Sequence, residues 1–212
     1  KVRTLSRWLN AASVEAYPEQ IQALAGLDCV KALDIVKSFK RVDGFPDDTA
    51  ETQSLAEAKN PLYGYSYTQL NQINVPALHQ QGLSGRGVLV CMLDGGFRKS
   101  HEAFRLAHLV AEWDFVNADG DVSQNLSDSN DYTDDHGTAT WSLLGGFKMG
   151  GLMGPAFGAD FILGKTETSN YEKPIEEDWW VAGIEWAESL GAEVVSSSLG
   201  YTDWYQFKDM DG

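Results

Sequence analysis

Two side chains capable of acid–base chemistry stand at telling positions. Asp94 closes the run VLVCMLD and is followed by Gly95 and Gly96; His136 sits in DDHGTATWSLLGG. In open parallel sheets, functional groups gather just beyond the carboxyl ends of the strands. Core packing does not explain a carboxylate at the end of an apolar strand, and two glycines after it let the backbone turn sharply. His136 begins an expected helix at a comparable edge, which would let it meet Asp94 across the top of the sheet. Asp94 would then fix the imidazole tautomer and stabilise the imidazolium formed when His136 takes a proton from a serine. Each signal alone is weak: a strand-terminal Asp before Gly is commonly a turn or helix cap, and His136 is a lone histidine before Gly-Thr.

The elements that must hold these groups are readable from hydrophobic patterning. GVLVCMLDGG is a continuous apolar run, as expected of a central parallel strand covered on both faces. GADFILGKTE and GAEVVSSSLG read as second and third strands. VPALHQQGLSGRG predicts a short helix before a Gly-Ser-Gly turn, and TATWSLLGG a buried one. PIEEDWWVAGIEWAESLG is the clearest helix, with Pro174 near its start, acids in its first turn and Gly191 at its end. Trp179, Trp180 and Trp186 should pack it onto the sheet. The alternation predicts an α/β fold with a doubly wound, mostly parallel sheet.

A smaller α+β unit precedes it. Residues 4–15 read as a strand, Pro18 opens a helix in PEQIQALAGL, and 29–37 return to an extended apolar pattern. About forty residues bury too little surface to stand securely alone, so this unit should lean on something larger. Residues 44–61 lack an apolar period and read as an exposed linker open to proteolysis, with a short surface helix at 51–59 as the alternative. The expected organisation is therefore 1–43, a linker at 44–61, and 62–212.

Composition narrows the function. The 212 residues are 43% hydrophobic and carry a net charge of −15, which suits a packed globular protein and argues against nucleic acid as a partner. Residues 1–43 hold seven Lys/Arg and five Asp/Glu, a balance of +2, leaving −17 on the remainder. Opposite signs favour docking of the two segments. No apolar run approaches the roughly 18 residues of a membrane span. Cys29 and Cys91 are too few for a disulfide scaffold, and both lie in apolar runs that predict buried thiols.

LDGGF, DDHGTATWSLLGG, GPAFGADFILGKTE and AGIEWAESLGAEVVSSSLG together resemble the subtilisin family of serine proteases. YGYSYTQLNQINVPALHQQGLSGRGVLV is similar to the family's mature N-terminal stretch, so the likeness covers roughly residues 62–203. Residues 1–43 resemble the later part of the inhibitory propeptide of secreted bacterial subtilases. The resemblance implies peptide-bond hydrolysis through an acyl-enzyme, with Asp94 orienting His136. Ser198, Leu199 and Gly200 match the strand edge that pairs with a peptide or protein substrate; Gly164–Lys165–Thr166 fall near the opposite wall of the cleft. It also implies a secreted, periplasmic or cell-surface zymogen restrained by its own propeptide.

Two departures accompany the resemblance. Gly95 stands where the family usually has Thr or Ser, which removes a hydroxyl that braces the aspartate turn. The nucleophilic serine and the oxyanion-hole asparagine have no match in these residues. The expectation is that both lie outside this chain, in a C-terminal half of the same precursor, and that this chain alone is inactive. The alternative is a subtilase-like module that grips a peptide or partner without cutting it; the presence of both Asp94 and His136 favours catalysis. An unrelated nucleotide-binding α/β domain is disfavoured by the lack of a glycine-rich phosphate loop after the first strand. No cofactor is required and no metal ligand set is assigned. The Asp/Asn-rich residues 117–135 have carboxylates enough for Ca²⁺, an ion common among subtilases, but match no defined calcium loop and read better as a solvated insert.

Overall fold

The computed structural model describes residues 1–36, 60–123, 133–168 and 173–201. Most of the 44–61 linker, with the helix weighed at 51–59, lies outside them.

The N-terminal unit differs from the expected strand–helix–strand. Residues 4–15 do not run as one strand: β1 (Val2–Ser6) and β2 (Ala11–Val14) form an antiparallel hairpin. Its turn ends on Asn10 at φ 48°, a left-handed conformation that Asn tolerates better than most residues. Helix α1 (Pro18–Ala25) starts as predicted, and Gln20 Oε1 accepts the Tyr17 backbone N–H at 2.9 Å. The second expected strand is absent over its described part, residues 29–36. Residues 32–36 share a cavity with the β1–β2 hairpin but form no described ladder with it, and a β-prone sequence becomes a strand only when it pairs. Cys29 is accordingly exposed rather than buried, and no disulfide joins it to the buried Cys91.

Beyond Asn60, α2 (Tyr67–Gln72) and α3 (Val75–Gln80) lead into β3 (Leu89–Asp94). There follow β4 (His108–Asp114), α4 (Thr133–Gly145), the short hairpin β5 (Phe147–Lys148) and β6 (Leu152–Met153), β7 (Asp160–Lys165), α5 (Ile175–Ser189) and β8 (Val194–Ser197). The main sheet has the order β4-β7-β3-β8, and every pair in it is parallel. This is the expected parallel α/β sheet. Strand β4 was not anticipated.

The two-residue period of the central strands sorts the core into two layers. Val90, Met92, Phe161 and Leu163 face the α4 side with Trp141, Phe97 and Phe104. Cys91, Leu93 and Ile162 face the α5 side with Ala187, where Trp180 and Trp186 pack at the margin. Trp141 is the hub of the first layer. It stacks on Phe104 with centroids 3.7 Å apart and meets Phe97 and Phe161 edge-on. Trp141→Ala should destabilise the fold by about 3–5 kcal/mol, read by chemical denaturation. Trp141→Phe should cost much less, because its Nε1–H has no hydrogen-bond partner among the described residues.

The N-terminal unit leans on α5, as its size requires. Glu185, buried on that helix, accepts Ser6 Oγ–H at 2.6 Å, Arg7 N–H at 2.9 Å and Trp8 N–H at 3.1 Å. One carboxylate thus satisfies three donors of the hairpin turn, and Leu9 N–H donates to Ser6 Oγ. The contact rests on backbone amides more than on ion pairing, since Arg7 Nε stands 3.9 Å away on an exposed side chain.

Candidate active site

Asp94 is the last residue of β3 and lies on the α4 face of the sheet, in line with Val90 and Met92. It is 1% exposed, and its carboxylate accepts three hydrogen bonds. Gly95 N–H donates to Oδ1 at 2.7 Å, Thr140 Oγ1–H to Oδ2 at 3.0 Å, and His136 Nδ1 lies 2.8 Å from Oδ1. A carboxylate only accepts, so Nδ1 carries a proton, and in the neutral imidazole it is Nε2 that bears the lone pair. The His136 side chain is 54% exposed, which leaves that lone pair open to an approaching hydroxyl.

The first turn of α4 delivers His136 to this point. Gly137 makes the approach possible: a Cβ there would collide with the Gly96 carbonyl oxygen and fall 3.0 Å from Asp94 Cβ. Gly96 itself sits at φ 146°, which favours glycine, so the strand end and the helix start meet through two bare backbones. Phe97 N–H to Val122 O and Arg98 N–H to Thr138 Oγ1 extend the seam.

The predicted substrate-edge residues occupy the same rim. Leu93 pairs with Ser197 across β3 and β8, so Ser198–Gly200 emerge just past the level of Asp94, with Ser198 and Gly200 exposed. Gly164 and Lys165 are placed differently from a cleft wall. They lie inside the sheet, paired with β3 on one side and β4 on the other, and Lys165 Nζ is buried 3.3 Å from Asp114 Oδ2. Among the described serines near the rim, Ser197 Oγ accepts the Trp180 Nε1–H at 2.9 Å. Cys91, three residues before Asp94, is no rival nucleophile, because burial pushes its thiol up to about 12.

The sequence reading missed Thr140 and Arg98. Thr140 stands four residues after His136, the spacing that puts both on one helix face. Its hydroxyl braces the aspartate from the helix side, while Gly95 braces it through the backbone. Arg98 carried no signal; its partners are 36 and 37 residues away.

Residues 124–132 of the acidic stretch lie outside the described residues. Asp121, at the edge of that stretch, is already engaged. Ser123 N–H at 3.0 Å and Lys99 Nζ at 3.2 Å hold its carboxyl down to about 2. Among the described residues no group of three His, Cys, Asp or Glu side chains gathers as a metal site, and no helix is long and apolar enough to cross a membrane.

Comparison with known proteins gives consistent findings. A family model described as the subtilase family matches residues 85–210. Subtilisin E of Bacillus subtilis (strain 168) is 27% identical over 207 residues, covering 84% of this chain and 50% of the relative. A subtilisin of Bacillus pumilus is 31% identical over 138 residues, covering 62% of this chain and 44% of the relative. The chain therefore spans about half the length of the curated relatives it matches. Among solved structures, the MycP3 protease from the type VII (ESX-3) secretion system aligns with a TM-score of 0.52 at 17% identity, over 71% of this chain and 41% of that one. That likeness concerns the fold.

Proposed function

The chain belongs to the subtilase family, and from that premise we propose that it carries the histidine and aspartate of a serine endopeptidase whose nucleophile lies outside these 212 residues. The observation that carries the reading is the 2.8 Å contact from His136 Nδ1 to a buried Asp94, on an imidazole that is itself half exposed. In this reading His136 Nε2 removes the proton of a serine hydroxyl as its oxygen attacks the scissile carbonyl. The same proton passes to the leaving amine as the tetrahedral intermediate collapses to the acyl-enzyme. Water, deprotonated in turn by His136, releases the acid. Asp94 keeps the Nδ1–H tautomer throughout and stabilises the imidazolium. An extended peptide would pair its backbone with the Ser198–Gly200 rim, which demands little of its sequence. The exposed Val194 and Val195 on edge strand β8 agree with a further half of the catalytic domain packing there. Hydrolysis of a fluorogenic peptide by the intact gene product, blocked by a sulfonyl fluoride, tests the assignment. Peptide binding without turnover would support the grip-without-cutting alternative.

Residues 1–36 fit the docked end of an inhibitory propeptide in a secreted precursor, with Glu185 as their anchor. The Ser6 hydroxyl first, then the Arg7 and Trp8 amides, hold the Glu185 carboxyl below its ordinary value of 4.5, against the opposing effect of burial. A carboxyl lowered by docking favours the docked state wherever it is ionised. Docking should thus be strongest above the ordinary glutamate range and weaken as pH falls through the lowered value. Glu185→Ala should abolish this acid dependence and speed hydrogen exchange of the Arg7 and Trp8 amides at neutral pH. Unchanged exchange would remove Glu185 from the anchor role.

A further inference from the structure

We propose that Arg98 is a positioning residue for His136, clamping the first turn of α4 to the loop that leaves Asp94. The inference rests on the reading of Asp94 and His136 as the catalytic pair. His136 stands in the first turn of its helix, where backbone amides lack intrahelical acceptors and the chain is easily frayed. Its one polar contact among the described residues is Asp94, so its place depends on what fixes that turn.

Arg98 reaches that turn from the Asp94 side by three routes. Its Nη2 donates to Asp134 Oδ1 at 3.1 Å and to Asp135 Oδ1 at 2.7 Å. Its Nε points at Asp134 Oδ2 from 3.4 Å, completing a fork on that carboxylate. Its backbone N–H donates to Thr138 Oγ1 at 2.7 Å, and the Thr138 hydroxyl donates in turn to the Asp134 carbonyl. The residues held, 134, 135 and 138, bracket His136 on both sides. Asp134 is buried, 5% exposed, so the fork also keeps a charge from being stranded in the interior. A planar guanidinium suits this task, because it fixes direction as well as charge, which a lysine ammonium does not.

Arg98→Gln in the intact gene product removes the fork and the charge. The expected result is a fall in kcat of about ten- to a hundredfold, the scale of an ångström-sized misplacement of a base, with KM changed by less than about twofold. A readout independent of turnover accompanies it. The His136 Nδ1–H proton, identified by its absence in His136→Ala, should give a low-field NMR signal that broadens or vanishes in Arg98→Gln and partly returns in Arg98→Lys. If Arg98→Gln fails to fold, Asp135→Asn opens one arm of the clamp without stranding a buried charge, and should weaken the same signal. A signal and kcat unchanged in these variants would overturn the proposal, as would a KM effect with kcat intact, which would make Arg98 a substrate contact. A wild-type protein that shows the signal but hydrolyses no peptide would fail the protease reading alone, leaving the clamp to be judged by NMR.

Discussion

His136→Ala in the intact gene product is expected to lower kcat about a million-fold and Asp94→Asn about ten-thousand-fold, the magnitudes characteristic of subtilisin triads. KM should change little, because neither side chain forms the Ser198–Gly200 rim along which a peptide would lie. The two losses have different origins. Alanine removes the imidazole that pairs with Asp94 and would take the serine proton. Asparagine preserves the shape of Asp94, yet its amide can donate to Nδ1 and so stabilise the tautomer whose Nε2 is already protonated. Both variants should fold, since His136 is half exposed and Asp94→Asn changes no volume. Pre-steady-state kinetics on a fluorogenic peptide would show the acylation phase lost in both.

Gly137→Ala should be nearly as damaging, for a reason of geometry rather than chemistry. The added methyl would press on the Gly96 carbonyl oxygen and the Asp94 side chain, all of it backbone or buried atoms with no room to yield. The first turn of α4 must then move outward and carry His136 with it. Activity should fall at least about a hundredfold. Stability should also drop, on the order of 1–3 kcal/mol, as for other overpacked sites. Alanine is ordinarily the better helix former, so a neutral result by calorimetry would show that the strand–helix seam is looser than described.

How much of this was legible in the sequence follows from the range of each interaction. Asp94 could be placed because an apolar strand that ends on a carboxylate and two glycines is a local pattern. His136 and the helix after it were legible as a local pattern too, but the role of the pair came from the family resemblance, and the close approach at Gly137 carried no signal. Thr140 was within reach through its spacing from His136. Arg98 was not, because its partners come from a distant segment and nothing in GGFRKS marks the arginine. Strand β4 escaped because it lies at an edge of the sheet. Its inward and outward residues are blurred by an irregularity between Leu109 and Ala111, and the alternation that signals a half-buried strand is lost. The N-terminal unit was misread in the opposite sense. DCVKALDIV has the composition of a strand, yet Leu33, Ile35 and Val36 are exposed and join no described ladder. The docking of the two oppositely charged segments was anticipated, but not that one glutamate capping three donors would make the contact.

The most direct test of the central claim is to label the intact gene product with a fluorophosphonate and locate the labelled residue by peptide mass spectrometry. A paired catalytic Asp94 and His136 predict a single labelled serine outside residues 1–212, with labelling abolished in His136→Ala. Label on Ser196, Ser197 or Ser198, or labelling undiminished by loss of His136, would contradict the account.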